Sequence, residues 1–526
     1  MKRLFSLIVL VSAFCSYAGC GSSNAPAPAV KVLSGDVSRT VVSGTSIAID
    51  VAIQPNFTPA GTLYITAVDK TGIFKPVVSV TANSDASYTL TLATSATAAT
   101  GHYTGTVTLN QWSDAACTIP QQVPSVTVPF DINAMSSTSA WPGNNLSALS
   151  VWPGVPDWTM YQGNAAHTGY VPVTVDPNQF TTRWTIPAVT GAVSSGYGLP
   201  AAPTTAGGQL FVAGNNFLYA RKEFDGSLAW QYDFSGLQYP SVNPPAVADG
   251  AVFMAAGQQS TTFLFAFNAA DGSLIFKSPM NSQWEHYLAP TIGAQGIYTN
   301  AGTSGGLFAF DQSGLQLFFD GMAQTSMWTP AVDATGVYTY TGGVLKVVDP
   351  KSGAVLNSIS DPTFQNYVYE IGGSPVLGAP GSVFVANYEN SLLNGGAIGN
   401  TLINFSISNN AIAWQIPGVY PSTPAYSAGT LYVANEKPLR LEARAEADGR
   451  LLWSWVPPQA GDVNFISEVL LTKNLVFVST NLATYAIDVT SHRNVWSYPL
   501  SGRLALSQNG IFYIEGQSML IAINLK

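Results

Sequence analysis

Side chains able to do acid–base, metal or nucleophilic chemistry are few and scattered in this chain. Its histidines, His102, His167, His286 and His492, lie far apart on different predicted elements. The sequence has no Gly-x-Ser-x-Gly, His-Glu-x-x-His or phosphate-cradling glycine motif, and paired carboxylates are scarce. A catalytic pair could still be assembled from residues distant in sequence. The composition of the chain therefore favours a binding protein over an enzyme without excluding the enzyme.

The first twenty residues carry a secretion signal that ends in a cysteine. Lys2 and Arg3 precede an apolar stretch at residues 4–14, which is too short to cross a bilayer as a helix. Tyr17-Ala-Gly-Cys20 resembles the lipobox of bacterial lipoproteins, although Tyr17 stands where such boxes usually carry Leu. The resemblance implies cleavage directly before Cys20 and lipid attachment to its sulfur. An ordinary signal peptide followed by a chance cysteine is the alternative.

The residues after this cysteine favour the outer membrane as the destination. Gly21 stands where many such lipoproteins carry the Asp that retains them in the inner membrane, and residues 20–30 predict a flexible tether. Because Cys15 leaves with the signal, Cys117 is the one other cysteine of the mature chain. No His or Cys stands near it at metal-ligand spacing, so we expect an inert, half-buried thiol.

A repeat with a period in the forties runs through the last two-thirds of the chain. Each copy has a short strand near a proline, then Gly-x-apolar-aromatic, an apolar run, a turn and often a Trp. The prolines, spaced 42, 45, 40, 45 and 49 residues apart, are Pro203, Pro245, Pro290, Pro330, Pro375 and Pro424. The aromatic residues in phase with them are Phe211, Phe253, Tyr298, Tyr338, Phe384, Tyr432, Phe477 and Phe512. Eight copies built of strands and turns predict an all-β fold with an eight-bladed β-propeller.

The two ends of the repeat array predict how the ring closes. The last copy has three strands, and the sequence then ends at Lys526. Upstream, Thr181-Thr-Arg-Trp184-Thr-Ile-Pro is similar to the fourth strands Ala411-Ile-Ala-Trp414-Gln-Ile-Pro and Arg493-Asn-Val-Trp496-Ser-Tyr-Pro. We therefore expect the strand that carries Trp184 to complete the last blade and to remove an open sheet edge.

A set of aromatic residues shares one phase relative to the blade prolines. Tyr197, Tyr239, Trp284 and Tyr369 each stand six residues before a proline, in loops between the fourth strand of one blade and the first strand of the next. These loops emerge on one face, so the sequence predicts a candidate binding mouth there, to which His286, Trp328, Glu370, Tyr420 and Glu468 also belong. Packing between blades is the alternative role for the same rings.

Alternating apolar residues precede the propeller. The runs Ile47–Ile53, Tyr88–Leu92, Tyr103–Leu109 and Val126–Ile132 have the period of two that is typical of strands. They predict an antiparallel sandwich, and Gly101-His-Tyr103 resembles the tyrosine corner of immunoglobulin-like folds. The predicted organisation is a signal peptide at 1–19, a tether at 20–30, an immunoglobulin-like β-sandwich at 31–133, a linker at 134–156 and the propeller at 157–526.

The propeller resembles the pyrroloquinoline-quinone-like repeat family. The resemblance rests on the lead-in Asp157-Trp158-Thr-Met160-Tyr-Gln-Gly163-Asn-Ala-Ala-His167-Thr-Gly169-Tyr. It rests also on blade turns such as Asp225-Gly-Ser-Leu-Ala-Trp230, Asp271-Gly-Ser-Leu-Ile-Phe and Asp448-Gly-Arg-Leu-Leu-Trp453. The family includes quinone-dependent dehydrogenases, which carry an adjacent Cys-Cys pair and calcium-binding carboxylates, and non-catalytic lipoprotein propellers, which bind proteins. This chain has no adjacent cysteines and no Cys-x-x-Cys-His, so it resembles the second kind more.

The net charge of the chain bears on its class of partner. The formal charge is −9, and loss of the two cations Lys2 and Arg3 with the signal would make it −11, which argues against nucleic acid as a partner. We predict a lipid-anchored binding or scaffolding protein of the outer membrane, without a cofactor or metal, whose partner is another envelope protein or a peptide. A quinoprotein dehydrogenase is the alternative.

Overall fold

The computed structural model describes most of the chain after the predicted tether. The described residues are 28–33, 37–42, 46, 48–58, 62–83, 86–99, 101–121, 123–135, 146–188, 202–214, 216–237, 242–257, 262–280, 288–300, 305–323, 328–364, 371–372, 374–391, 396–459 and 461–526. In these ranges, no helix combines the length and the apolar character needed to cross a membrane.

The N-terminal module is one continuous β-sheet wrapped around its own core. Its strands are β1 (Val30–Val32), β2 (Val37–Val42), β3 (Ala48–Pro55), β4 (Tyr64–Val68), β5 (Val77–Ala82), β6 (Tyr88–Ala93), β7 (Gly101–Trp112) and β8 (Val126–Met135). The spatial order is β1-β3-β6-β5-β4-β7-β8-β2, with antiparallel pairs except for β2 and β8, which are parallel. Side chains from both halves of the sheet, such as Val51, Leu90, Val107 and Ile132, share one buried cluster.

The module is therefore all-β as predicted, but its sheet is closer to a barrel than to two separate layers. The pairs Ile65–Val78 and Thr66–Val77 join β4 to β5 and continue the hydrogen bonding from one half of the sheet to the other. The hydroxyl of Tyr103 donates to the carbonyl of Ala99, 2.8 Å away and four residues upstream, as in a tyrosine corner. The immunoglobulin-like assignment stays a prediction.

The propeller begins with two short 3₁₀ helices and one strand. The helices are Tyr161–Gly163 and Pro177–Gln179, and the strand is β9 (Thr181–Pro187). The first four blades contain β10 (Thr204–Ala206), β11 (Gln209–Gly214), β12 (Phe217–Lys222), β13 (Leu228–Asp233), β14 (Ala246–Ala248), β15 (Ala251–Ala256), β16 (Thr262–Asn268), β17 (Leu274–Met280), β18 (Thr291–Gly293), β19 (Gly296–Asn300), β20 (Leu307–Phe310), β21 (Gln316–Asp320), β22 (Ala331–Val332), β23 (Val337–Thr341), β24 (Val344–Val348) and β25 (Val355–Ser360).

The last four blades follow the same pattern. They contain β26 (Ile371–Gly372), β27 (Val376–Leu377), β28 (Ser382–Ser391), β29 (Gly396–Ser406), β30 (Ala411–Gly418), β31 (Ala425–Ser427), β32 (Thr430–Glu436), β33 (Leu439–Ala445), β34 (Leu451–Trp455), β35 (Leu470–Leu471), β36 (Leu475–Ser479), β37 (Thr484–Asp488), β38 (Asn494–Tyr498), β39 (Arg503–Leu506), β40 (Ile511–Glu515) and β41 (Met519–Asn524). Within the described ranges these strands form eight antiparallel sheets, and the fifth has the extra short strand β26. The predicted eight-bladed propeller is confirmed.

Closure of the ring also follows the prediction. The last sheet has the order β39-β40-β41-β9, so a strand that precedes the first blade supplies the fourth strand of the eighth. In this pairing Trp184 stands opposite Ala522, and Pro187 stands opposite Met519. The hydrogen bonds of β9 to β41 give both ends of the propeller chain a partner strand.

Tryptophans on fourth strands lock neighbouring blades together. The indole N–H of Trp184 donates to the carbonyl of Glu223 in the first blade at 2.9 Å, and Trp230 donates to Ala269 in the second blade at 2.9 Å. Each ring covers the glycine of the next blade's turn. A Cβ on Gly272 would lie 2.5 Å from the ring of Trp230, and Gly272 also has a φ of +74° that glycine adopts without strain. The Asp-Gly turn and the Trp are therefore one interlock.

Arg183, next to the first of these tryptophans, ties the closure to its surroundings. Its Nε donates to the carbonyls of Phe224 at 2.8 Å and Glu223 at 3.2 Å in the first blade. Nη1 donates to Oδ1 of Asn524 at 3.0 Å, and Nη2 donates to the carbonyl of Ser147 at 2.8 Å. One buried guanidinium thus joins three parts of the chain that are distant in sequence.

We expect Arg183→Ala to lower the free energy of unfolding by about 3 kcal/mol, because it removes the buried donor that oxygens in three segments share. The control is Arg450→Ala, which removes an exposed side chain 3.6 Å from Asp448 and should cost less than about 0.5 kcal/mol. Chemical denaturation of both variants measures the difference. Equal unfolding midpoints for the two variants would contradict the role assigned to Arg183.

A buried carboxyl group beside this closure makes its stability depend on pH. Burial raises the pKa of Glu223 to about 7, with a further contribution from the charge of Asp157, while the amide of Asn509 donates to its Oε2 at 2.7 Å. The pKa of Glu223 is higher in the folded state than in the unfolded state. Its protonated form therefore contributes stability to the fold below about pH 4.5, and this contribution is lost as the pH rises through 7.

We therefore expect Glu223→Gln, which cannot ionise, to gain stability relative to the parent by about 2 to 3 kcal/mol between pH 5 and pH 8. The measurement is the free energy of unfolding of both proteins at several pH values in this window. Parallel pH profiles for parent and variant would show that this carboxyl group does not set the dependence.

Candidate functional site

The chain segment that leads into the propeller fills its centre. This segment, residues 152–175, is called the channel segment below. Its carbonyl oxygens accept hydrogen bonds of 2.7–2.9 Å from first-strand amides of six blades, the first, second, fourth, fifth, sixth and seventh. The donor–acceptor pairs are Thr205–Trp158, Val247–Thr159, Val332–Ala165, Leu377–Ala166, Tyr426–Thr168 and Leu471–Gly169. The inner strands therefore have a common backbone partner on the propeller axis.

The third and eighth blades contact the channel segment through further hydrogen bonds that involve its side chains. In the eighth blade the backbone amide of Gln508 donates to Oδ1 of Asp157 at 3.1 Å, and its side-chain amide donates to Oδ2 at 2.7 Å. In the third blade the hydroxyl of Thr291 lies 3.1 Å from Nε2 of His167. All eight blades are thus joined to one segment.

His167 is the buried polar centre of the channel segment. Its Nδ1 lies 2.9 Å from the carbonyl of Pro375, and its side chain has no exposed surface. A carbonyl only accepts, so Nδ1 carries the proton and Nε2 accepts from Thr291. Burial lowers the pKa of His167 to about 4, which keeps the ring neutral at physiological pH. The ring thus links the fifth blade to the third.

At its edge the channel segment meets an ion pair. The hydroxyl of Tyr161 lies 2.6 Å from that of Thr423 and 3.5 Å from Oε1 of Glu468. Nη1 of Arg503 donates to both oxygens of Glu468, at 2.8 and 2.9 Å. Burial, and next the charge of Glu468, raises the pKa of Tyr161 well above its usual value, so the phenol stays protonated. Glu468 and Arg503 are partly exposed and offer charge at the surface.

Most of the predicted mouth lies outside the described residues. These residues are Tyr197, Tyr239, Trp284, His286, Tyr369 and Glu370, and Cys20 lies outside as well. Trp328 and Tyr420 are described, and both are buried in clusters between blades. Packing is therefore the role that the structure gives these two rings. Cys117 is half-buried.

A groove between the seventh and eighth blades opens on the face where the predicted mouth would lie. Its walls come from connections between second and third strands and from two fourth-to-first connections, which emerge together because neighbouring strands alternate in direction. The groove has a volume of about 320 Å³. Its lining residues are Ile466, Asn481, Leu482, Pro499, Leu500, Ser501, Gly502, Arg503, Glu515, Gly516, Gln517 and Ser518.

The groove, here called the blade 7–8 groove, combines an apolar wall with polar groups. Leu482, which lines the groove, is 40% exposed. Arg503, which pairs with Glu468, also lines the groove. Two glycines, Gly502 and Gly516, allow its turns to approach closely, since a Cβ on Gly516 would lie 2.8 Å from the carbonyl of Ser501. In the sequence, the groove is marked by these two glycines. The spacing of residues from the blade prolines, which predicted the mouth, does not reveal them.

Chemistry-bearing side chains do not cluster in the parts of the chain described above. No group of three or more His, Cys, Asp or Glu residues there could hold a metal ion. The His167 ring is instead committed to contacts within the fold.

Comparison with known proteins identifies the propeller. A family profile described as outer membrane protein assembly factor BamB matches residues 167–454 and 341–524, which together span more than half of the chain. The chain belongs to this family of repeat propellers. A search of curated proteins finds no match.

A search of solved structures finds matches at low sequence identity. The computationally designed Ika8 protein is 12% identical, with a TM-score of 0.47 over 64% of this chain and 99% of that one. The dihydro-heme d1 dehydrogenase NirN is 13% identical, with a TM-score of 0.43 over 63% of this chain and 75% of that one. Apo AztD from Citrobacter koseri is 11% identical, with a TM-score of 0.39 over 61% and 90% of the two chains.

The neutral ring of His167 predicts a loss of stability in acid. Its folded-state pKa of about 4 lies below the unfolded value of about 6.5, so its contribution is present above pH 6.5 and is lost as the pH falls toward 4. The difference in unfolding free energy between the parent and His167→Gln should therefore shrink by about 2 kcal/mol from pH 7 to pH 5. Denaturant titrations at both pH values measure it, and a constant difference would contradict a neutral buried ring.

Proposed function

We propose that this protein is a non-catalytic binding or scaffolding lipoprotein of the bacterial cell envelope, and that its propeller face holds a protein partner. The observation that carries the proposal is the channel segment. Because the chain itself occupies the propeller axis, a ligand has the faces of the ring as its binding surface. The face with the blade 7–8 groove offers an apolar wall beside a cation and amide groups.

The groove suits part of a polypeptide better than a large cofactor. Its volume of about 320 Å³ is at the lower end for small-molecule pockets and accommodates one or two side chains. Leu482 and Leu500 supply apolar contact, while Arg503, Asn481 and Gln517 supply hydrogen bonds at the rim. The family profile is named for an outer membrane assembly factor, which supports an envelope protein as the partner.

The quinoprotein alternative is disfavoured by the residues present. A quinone dehydrogenase of the related kind needs an adjacent cysteine pair above the cofactor and carboxylates beneath it, and this sequence has no such pair. The buried side chains of His167 and Gln162 and the partly buried side chain of Tyr161 occupy the propeller axis and are hydrogen-bonded there. These residues do not fit a quinone at the axis, so we assign no redox step.

The proposed location follows from the N-terminal sequence. We infer that Cys20 is lipidated and that residues 20–30 tether the protein to the outer membrane, with an immunoglobulin-like module at 31–133 and a linker at 134–156 before the propeller. In this arrangement the module stands between the lipid anchor and the binding face.

The groove can be tested by cross-linking the protein to its partners in intact membranes. Leu482→Arg should reduce capture of the partner at least tenfold, because it places a charge on the exposed apolar wall and costs the fold little. The matched control is Leu315→Arg, which changes a 67% exposed residue on an edge of the third blade and should leave capture unchanged. Mass spectrometry quantifies the cross-linked partner.

Equal loss of capture in the two variants, or none in either, would count against the groove. A separate titration of the purified protein with pyrroloquinoline quinone and Ca²⁺, followed by absorbance, tests the alternative class. Saturable binding with quinone reduction on addition of an alcohol would overturn the non-catalytic assignment.

A further inference from the structure

The outer strand of the seventh blade is covered, unlike those of the other blades. The difference is seen in the exposure of the residue that follows the fourth-strand aromatic or its equivalent. In each of the other blades this residue is exposed, and the equivalents are Thr185, Gln231, Lys277, Phe319, Ser358, Gln415 and Ser454. In the seventh blade it is Ser497, which is 3% exposed. Ser454 and Ser497 are the same residue type in adjacent blades. The difference in their exposure therefore comes from their surroundings.

The strand that covers this edge belongs to the N-terminal module. β2 lies alongside β38, although the two strands are separated by more than 450 residues. Phe180 also packs on the seventh blade, but it meets the ring of Trp496, and successive side chains of a strand point to opposite faces. Phe180 therefore does not explain the burial of Ser497.

Both strands in this contact are the last strands of their sheets. β2 ends the sheet of the N-terminal module, and β38 ends the sheet of the seventh blade. A terminal strand presents a row of backbone N–H and C=O groups that can pair with another chain, and proteins commonly cover such edges. Here two edges of one chain cover each other.

The sequence of the covered strand fits this position. Outer strands of other blades begin with exposed apolar pairs, such as Leu274-Ile275, Val355-Leu356 and Leu451-Leu452. At the same place β38 has Asn494, which is 3% exposed. At this blade edge, which the N-terminal module reaches, a polar amide thus replaces apolar surface.

We propose that the N-terminal module docks through β2 onto the outer edge of the seventh blade, so that module and propeller form one body. The partner surface is a strand edge of the same chain. The contact fixes the direction in which the blade 7–8 groove points relative to the N-terminal segment, which a linker alone would not do. This inference is independent of the proposed binding function.

Hydrogen–deuterium exchange on the full-length protein tests the docking. The amides of β38 should exchange at least tenfold more slowly than those of β34, the equivalent strand of the sixth blade, because β2 covers only the former. If β34 and β38 exchange at the same rate, the docking is wrong. This comparison needs no variant.

A pair of matched substitutions gives a second test. Ser497→Arg places a long charged side chain in the contact and should speed exchange of both β2 and β38 at least tenfold, with an increased radius of gyration in small-angle scattering. Ser454→Arg, at the exposed equivalent position, should change neither. Unchanged exchange of β2 in the folded Ser497→Arg variant would overturn the proposal, and if that variant does not fold, the parent comparison of β38 with β34 decides.

Discussion

The hydrogen bonds between the inner strands and the channel segment are the interaction on which the rest of the propeller depends. First strands in this fold are as short as two residues, such as Ala331–Val332 and Leu470–Leu471, and a strand of that length has few bonds to its own sheet. The carbonyls of the channel segment give these strands a second partner. Because one continuous segment serves successive blades, it also fixes the position of each blade relative to its neighbours.

At the outside of the ring, a different interaction joins the blades. Trp and glycine interlocks join neighbouring blades at their outer strands, and β9 with Arg183 completes the last one. With the axis filled and the blades locked, a partner has the outer surfaces of the ring for contact. The blade 7–8 groove is such a surface, since its walls are loops whose substitution affects the core little.

The sequence predicted the repeated features well and the unrepeated ones poorly. Proline and aromatic spacing revealed the blades, and the similarity of the strand at Trp184 to other fourth strands revealed the closure, because each blade repeats the same packing. The channel segment has no second copy in the chain, so its path through the centre had no periodic signal. Phase counting placed Tyr420 near a loop but could not tell its direction, and its ring packs against the position of Gly418 inside the fold. Alternation in residues 31–133 predicted strands, whereas the β4–β5 pairing that makes the sheet continuous depends on register.

His167 and its neighbours fill the channel in the native protein, and histidine footprinting tests this directly. Native protein treated with diethyl pyrocarbonate at neutral pH can be digested and mapped by mass spectrometry. His492, which lies at the surface against Trp453, should be modified readily, whereas His167 should react only after the protein is unfolded. Modification of His167 in the folded protein at a rate similar to that of His492 would mean that the channel is open to solvent and would contradict the account.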